Sequence, residues 1–195
     1  NERVLVIGAG VIGLTIIQAL KIKGCKEIIS VDVVQERLKI ARYYGADTII
    51  NTKNKSDLNH FKKNYNSQID LAFEAVGISE TIDLGINCVS KKGRLILVGN
   101  ITPYVKISLQ TIVTRELKLI GSCAIAGEYP IVIKHLSQNK LKFDKIITAK
   151  VPLSEGANYF NILEKRNSQH LKVILNPWVY LHLCDINDYI MNRIY

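Results

Sequence analysis

Short apolar runs alternate with segments of helical period along the chain as far as Gly121. Runs that stay apolar throughout are typical of strands covered on both faces, and strand–helix–strand alternation requires right-handed crossovers between parallel strands. Strands are predicted at Val4–Ile7, Glu27–Val31, Thr48–Ile50, Ile69–Phe73, Arg94–Val98 and Leu117–Ile120. Helices are predicted near Val11–Lys23, Gln35–Tyr44, Asp57–Tyr65, Ser79–Val89 and Leu109–Thr114. The pattern therefore predicts an α/β fold with a doubly wound parallel sheet of six strands.

The rhythm of the sequence changes after Gly121. A helix near Tyr129–Gln138, a strand near Lys145–Val151, a helix near Glu155–Lys165 with Ser154 as its N-cap, and a strand at Leu171–Leu175 are predicted. The last stretch is predicted to be an appended tail, with an amphipathic helix from Asp185 onward. The predicted organisation is therefore a first domain over 1–124, a small α+β segment over 125–177 and a tail over 178–195.

The composition is that of a globular protein, with 48% apolar and 22% charged residues in a chain of 195. These shares exclude disordered and disulfide-scaffold classes. Lys and Arg outnumber Asp and Glu by 26 to 17, a formal charge of +9, but the basic residues are scattered and form no basic helix. Nucleic acid is therefore not expected as a partner.

The cysteines and the apolar N-terminal stretch indicate the compartment of the protein. The four cysteines stand far apart and form no C-x-x-C pair, which favours free thiols in a reducing compartment. The uncharged stretch Val4–Leu20 is interrupted by three glycines and is too short to span a bilayer comfortably. We therefore expect a cytoplasmic protein with no membrane partner.

The strongest chemical signal is a G-x-G-x-x-G motif between the first predicted strand and the first predicted helix. Its residues are Gly8, Ala9, Gly10, Val11, Ile12 and Gly13. In such a motif the first glycine permits a sharp turn, the second lets the backbone approach a pyrophosphate, and the third lets the helix lie close to the strand. The free N–H groups and positive dipole end of the helix then face the pyrophosphate. The context predicts a Rossmann-type dinucleotide site.

An acidic residue follows this turn at the end of the second predicted strand. Asp32 lies 24 positions after Gly8, near the interval of about 20 residues that is expected for the ribose-binding acid. Its carboxylate would accept both hydroxyls of the adenosine ribose and would repel a 2′-phosphate, which favours NAD over NADP. Arg37 is the complication, because a nearby arginine can receive that phosphate instead.

Other chemistries fit the sequence less well. There is no G-x-x-x-x-G-K-[ST] phosphate loop, and no tyrosine is followed four positions later by lysine, as in the catalytic pair of short-chain dehydrogenases. A methyltransferase could use a glycine turn and an acid after the second strand, but the full glycine spacing suits a dinucleotide better. The four histidines form no metal-binding array, so no metal ligand is assigned.

The sequence resembles the cofactor domain of medium-chain dehydrogenases. The runs that carry the resemblance are VLVIGAGVIGLTIIQALKIKG, VDVVQERLKIARYYGAD, DLAFEAVG and GRLILVGN. Within that superfamily, TRELKLIGSCA, VPLSEGANYF and LKVILNP are similar to the zinc-dependent alcohol and polyol branch, with sorbitol dehydrogenases as the nearest kind. The resemblance covers Arg3 to about Pro177 and implies hydride transfer from a small alcohol or polyol to NAD.

The resemblance also implies roles for individual positions. Gly8, Gly10, Val11, Ile12 and Gly13 match the pyrophosphate turn, and Asp32 and Arg37 match the residues around the adenosine ribose. The positions implied to lie along the rest of the cofactor are Val76 and Gly77 after strand four, Val98, Gly99 and Asn100 beside the nicotinamide ribose, Ser122 and Ala124 at the carboxamide, and Lys172 near the pyrophosphate.

The sequence departs from the family in one respect. The family's catalytic domain is split, and its larger part, with the zinc ligands and the proton relay, precedes the cofactor domain. That part is absent here, and the 125–177 segment corresponds to the smaller, trailing part. The resemblance therefore implies zinc whose ligands are not in this chain, no catalytic residue in it, and NAD(H) binding without turnover by the isolated chain.

Two other functions and one assembly remain to be considered. The chain could be a nucleotide-sensing Rossmann module without catalysis, although such modules lack the dehydrogenase-like ending at Gly127–Pro177. It could also resemble the zinc-free quinone reductases, which usually prefer NADP and lack an acid equivalent to Asp32. Relatives pair through the edge strand, here Leu117–Ile120, so a homodimer or higher oligomer is expected by resemblance.

Overall fold

A computed structural model of the chain describes residues 2–165 and 170–177. The predicted tail at 178–195 lies outside the described residues. The chain divides into two compact units, Asn1–Lys142 and Phe143–Tyr195. None of the described helices is long and apolar enough to cross a bilayer.

The first unit contains the predicted six-stranded parallel sheet. Its strands are β1 Arg3–Ile7, β2 Glu27–Asp32, β3 Thr48–Asn51, β4 Ile69–Glu74, β5 Val89–Leu97 and β6 Lys118–Gly121. They lie in the order β3-β2-β1-β4-β5-β6, with every neighbouring pair parallel. The chain winds outward from β1 in one direction and then from β4 in the other. The predicted fold class is therefore confirmed, and the strand order reverses between β1 and β4, where open α/β sheets bind ligands.

The helices of this unit connect the strands. They are α1 Val11–Lys23, α2 Gln35–Tyr43, α3 Lys55–Tyr65, α4 Ser79–Cys88, α5 Leu109–Thr114 and α6 Tyr129–Ser137. Observed and predicted bounds are identical for α1 and for α5. Helix α1 begins at Val11, inside the glycine motif, and the left-handed backbone of Gly24 (φ +73°) terminates it.

The start of β5 differs from the prediction. The strand begins at Val89, which pairs with Ile69, and its regular register resumes where Arg94 pairs with Leu71. Lys92, between these two points, has a left-handed φ of +64°. The apolar pattern therefore predicted only the regular half of the strand, because the polar excursion before it has the composition of a turn.

The core lies on the faces of β1, β2, β4 and β5. Leu5, Ile29, Ile69 and Leu95 are fully buried in it, and Phe61 of α3 packs with them. Strands buried on both faces explain why the runs that predicted them are continuously apolar. In register, Ile7 pairs with Glu74, so the carboxyl ends of β1 and β4 lie side by side.

The first compact unit continues past residue 124, where the predicted first domain ends, and includes α6. Gln18 of α1, which is buried, holds its end in place: the Gln18 amide donates to the carbonyl of Lys142 (2.9 Å) and accepts the Lys142 N–H (2.8 Å). The predicted boundary follows the resemblance and not compactness, so it stays a prediction about family organisation.

The second unit is a small α+β structure. Parallel strands β7 Ile147–Pro152 and β8 Lys172–Asn176 flank a 3₁₀ turn, Leu153–Glu155, and helix α7, Gly156–Glu164. The prediction that Ser154 caps the helix is wrong. Pro152 leads into the 3₁₀ turn, so Ser154 lies inside that turn and α7 begins two residues after it.

Candidate dinucleotide site

The turn between β1 and α1 is built around two glycines. Gly8 has a φ of +95°, and its N–H donates to the carbonyl of Val31 at the end of β2 (2.9 Å). A Cβ at Gly13 would lie 1.8 Å from the carbonyl oxygen of Gly8, so only glycine allows the first turn of α1 to lie this close to β1. The predicted roles of both glycines in the turn and in close packing fit this geometry.

The N-terminus of α1 is open. Gly10 is its N-cap and supplies no side-chain hydrogen bond, and the first turn of the helix contains no acidic residue. The first N–H groups of a helix have no partner within it, and they carry the positive end of the helix dipole. A Cβ added at Gly10 would meet no protein atom within 4 Å. The end of α1 is therefore a site for an anion that approaches the backbone closely.

Asp32 stands beside this turn. Its Oδ2 accepts the N–H of Ala9 (2.6 Å) and its Oδ1 accepts the N–H of Val34 (2.8 Å). These bonds fix the carboxylate against the glycine turn. A carboxylate offers about four acceptor positions, so two remain for further donors, the number that a ribose diol supplies. Asp32 is half-buried, which leaves this side open to a ligand.

Arg37 lies in the first turn of α2, close in sequence to Asp32. It is half-buried, and no ion pair involves it within the described part of the chain, whereas its neighbours Glu36 and Lys39 pair with each other (2.7 Å). Arg37, which the resemblance places near the adenosine, therefore lies on the helix that follows β2, and its role there stays a prediction.

The loops after β4 and β5 cross in close contact. A Cβ at Gly77 would lie 2.5 Å from the backbone nitrogen of Asn100, and a Cβ at Gly99 would lie 2.3 Å from the backbone nitrogen of Gly77. The first loop also reaches the glycine turn, since a Cβ at Gly8 would lie 2.7 Å from Cγ2 of Val76. The three loops are thus packed together at the switch point of the sheet.

Glu74, which sequence reasoning did not single out, organises this crossing. It ends β4, and its exposed fraction is 0%. Its Oε1 accepts the N–H groups of Val76 and Gly77, both at 2.9 Å. Its carbonyl accepts the N–H groups of Val98 (2.8 Å) and Gly99 (3.0 Å). The available signal was an acid at the end of an apolar strand, three residues before a glycine.

The remaining predicted positions lie in two places. Ser122 follows β6 and donates its N–H to the carbonyl of Leu97 (2.9 Å), and Ala124 has a left-handed φ of +58°. Both are exposed at the same edge of the sheet as the crossing loops. Lys172 begins β8 in the second unit and is exposed there, so its role near the pyrophosphate stays a prediction.

A cavity of about 640 Å³ opens next to the acid. Val33, which directly follows Asp32, lines the cavity together with Ile78 and Thr81. The cavity continues between α3 and α4 to Lys62 and Cys88. Its volume is in the range of small-molecule sites. Burial raises the pKa of the Cys88 thiol to about 12, with Lys62 and Arg115 acting in the opposite direction. Cys88 is therefore a protonated wall residue at neutral pH and no nucleophile.

The described residues contain no cluster of side chains suited to a metal ion. Across 2–165 and 170–177, no three His, Cys, Asp or Glu side chains are grouped to hold a metal ion. A catalytic zinc needs about three protein ligands. These residues therefore do not fit a zinc site, and no step through zinc is assigned to them.

The fold and this edge of the sheet define a dinucleotide-binding domain of Rossmann type. The comparison with protein families is more specific: residues 11–138 match the family described as zinc-binding dehydrogenase. The chain belongs to this family, and the resemblance predicted from the sequence is confirmed.

Curated relatives agree with the polyol branch. The chain is 31% identical over 176 residues to the starvation-sensing protein RspB of Escherichia coli K12, covering 90% of this chain and 52% of the relative. It is 29% identical over 191 residues to sorbitol dehydrogenase of Bos taurus, covering 96% of this chain and 51% of the relative. The chain therefore spans about half the length of the curated relatives that it matches.

Solved structures show the same fold. A short chain alcohol dehydrogenase of E. coli CFT073, complexed with the cofactor NADH, superposes with a TM-score of 0.82 at 30% identity, covering 90% of this chain and 52% of the other. L-idonate 5-dehydrogenase of E. coli K-12 superposes with a TM-score of 0.81 at 24% identity, covering 88% and 49%, which supports the fold alone.

Proposed function

We propose that this chain is the NAD(H)-binding part of an alcohol or polyol dehydrogenase. The observation that carries the proposal is the pairing of an open helix N-terminus with a fixed carboxylate. The end of α1 offers unpartnered N–H groups over Gly10, and Asp32 is tied to the same turn through the Ala9 N–H. A diphosphate and an adjacent ribose diol together match this pair.

The cofactor is proposed to extend across the carboxyl edge of the sheet. Its pyrophosphate lies over the end of α1, its adenosine ribose on Asp32, and its adenine toward the cavity beside Val33. Its nicotinamide half lies over the other half of the sheet, along Val98–Asn100 and Ser122. The two halves of the dinucleotide thus follow the two halves of the doubly wound fold.

The reaction that this site serves is hydride transfer. When bound, the nicotinamide ring accepts a hydride from the alcohol carbon. This chain's residues bind the cofactor and fix its orientation at the sheet edge. We assign no catalytic residue to the chain, and we expect it to bind NAD(H) alone without alcohol turnover. The dehydrogenase-like second unit favours this function over a sensing module, because the likeness to sorbitol dehydrogenase of Bos taurus extends over 96% of the chain.

Replacing Asp32 by serine tests the proposal. The variant loses both ribose acceptors and the charge that repels a 2′-phosphate. Hydrogen bonds to a charged group contribute about 1.5–3 kcal/mol, so NADH affinity is expected to fall about 10- to 100-fold while NADPH affinity holds or rises. Titration calorimetry with both dinucleotides measures this change in preference.

Asp47→Ser is the matched control. Asp47 also accepts a backbone N–H next to β2, that of Ile28 (2.8 Å), but at the opposite end of the strand. We expect it to leave both affinities within about twofold of wild type. Absence of any heat and of any melting shift with saturating NADH in the wild-type chain would overturn the proposed function.

We propose further that two copies pair through β6. Among the residues that the structure describes, this strand bonds only to β5, so its other edge is open there, and Ile120 on it is 43% exposed. An open strand edge is a template for pairing. Ile120→Lys is expected to shift the chain from dimer to monomer in sedimentation velocity, because it places a charge in the paired edge. Leu153→Lys, at an exposed site on the second unit, is expected to remain dimeric; equal sedimentation of both variants and wild type would contradict this pairing.

A further inference from the structure

Glu74 is a buried charged residue at the switch point of the sheet. It is fully buried, although glutamate is among the residues least often found without exposure. Burying a carboxylate is costly unless hydrogen bonds compensate. Its place at the carboxyl end of β4 therefore requires a reason in the loops that it contacts.

The contacts of Glu74 hold two separate loops. Its side chain accepts two N–H groups of the loop after β4, through Oε1, and its carbonyl accepts two N–H groups of the loop after β5. A single residue thus fixes four backbone donors on two loops.

The two loops also fix each other. The Gly77–Gly99 crossing leaves no room for a Cβ on either residue, and the hydroxyl of Thr102 donates to the carbonyl of Gly77 (2.7 Å). A shift of the loop after β4 must therefore move residues 98–100 with it. The position of the loop after β5 therefore depends on the side chain of Glu74, which ends β4 and holds the loop after that strand.

One carboxylate oxygen of Glu74 makes no hydrogen bond, and a purely stabilising role for the residue does not explain this. Oε2 of Glu74 is buried and has no hydrogen-bond partner among the described residues. An unsatisfied buried acceptor costs about 1–3 kcal/mol. Strained or unsatisfied groups of this kind cluster at functional sites, where the surrounding structure holds them in place.

We infer that Glu74 is a positioning residue for the nicotinamide half of the cofactor. It sets residues 75–77 and, through the glycine crossing, residues 98–100, without touching the cofactor itself. The inference rests on the proposed function, since it needs a dinucleotide across this edge. The two halves of the site then have different residues: Asp32 and α1 bind the adenosine diphosphate, and Glu74 positions the loops along the nicotinamide half.

Two conservative variants distinguish the length of the Glu74 side chain from its charge. Glu74→Gln keeps an oxygen at the Oε1 position and loses the charge, whereas Glu74→Asp keeps the charge but is one methylene too short for both N–H groups. Dissociation constants of NADH and of ADP, which ends at the pyrophosphate and lacks both the nicotinamide ribose and the nicotinamide, are measured on the full chain. We expect Glu74→Asp to weaken NADH at least tenfold with ADP within threefold, and Glu74→Gln to stay within threefold for both.

The fluorescence of bound NADH adds a readout that a general loss of stability does not change. Its emission is expected to move toward that of free NADH in Glu74→Asp at saturation, and to match wild type in Glu74→Gln. Equal weakening of NADH and ADP, or equal loss in both variants, overturns the inference while the proposed function stands. A wild-type chain that binds neither ligand overturns both.

Discussion

Gly13→Ala is expected to lower the free energy of unfolding by about 3 kcal/mol, which corresponds to roughly 6–12 °C in Tm. The added Cβ would lie 1.8 Å from the carbonyl oxygen and 2.9 Å from the carbonyl carbon of Gly8. Both are backbone atoms of a turn that the Gly8–Val31 hydrogen bond ties to β2, so neither can move aside freely. Thermal and denaturant unfolding followed by circular dichroism measures the loss.

Gly121→Ala is the matched control for this prediction. An added Cβ there meets no atom within 4 Å, so the variant carries the same methyl group without the clash. Its Tm is expected within about 2 °C of wild type, as for most substitutions away from packed sites. If Gly13→Ala melted together with Gly121→Ala, the close approach of α1 to Gly8 would be disproved.

Sequence reasoning succeeded where local chemistry and fold agree. The apolar runs predicted the six strands because β1, β2, β4 and β5 are covered on both faces, and period alone then separates strand from helix. The glycine motif predicted the start of α1 because its glycines are required by contacts a few residues apart. Requirements of this kind can be predicted from a short stretch of sequence.

Elements that depend on distant contacts were predicted less well. The early start of β5 follows from pairing with Ile69, which the polar stretch before Arg94 does not reveal. The extent of the first unit follows from Gln18 reaching Lys142 across 124 positions. The sequence around Gln18 or Lys142 does not indicate their hydrogen bonds, because glutamine and lysine are ordinary surface residues.

The candidate site shows the same division. Gly77 and Gly99 were placed along the cofactor by resemblance, but only the structure shows that they are glycines because they cross each other. Glu74 stands inside the run DLAFEAVG, and nothing within that run reveals its role. Its burial, and its four backbone donors, are properties of two loops that meet only in the folded chain.

Gly10→Ala is expected to weaken NADH binding at least tenfold while leaving the free energy of unfolding of the free protein within about 1 kcal/mol of wild type. The φ of Gly10 is −76° and its ψ is −170°, a conformation that alanine adopts readily, and its Cβ would meet no protein atom within 4 Å. Glycine-to-alanine changes at compatible backbone positions stabilise by about 0.4–1 kcal/mol, but alanine is a poorer N-cap than glycine, so the two effects on stability oppose each other. The space that the methyl group fills is the space proposed for the pyrophosphate, so the cost falls mainly on binding.

Unfolding without ligand measures the stability, and calorimetry with NADH measures the loss of affinity. Adenosine is the matched ligand, because it presents the ribose to Asp32 but has no phosphate, and its weak binding should be equal in Gly10→Ala and wild type by ligand-detected NMR. Unchanged NADH affinity in a stable Gly10→Ala protein would show that the diphosphate does not pass over Gly10. Parallel loss of adenosine would show instead that the substitution disturbs Asp32 through the Ala9 N–H that its carboxylate accepts.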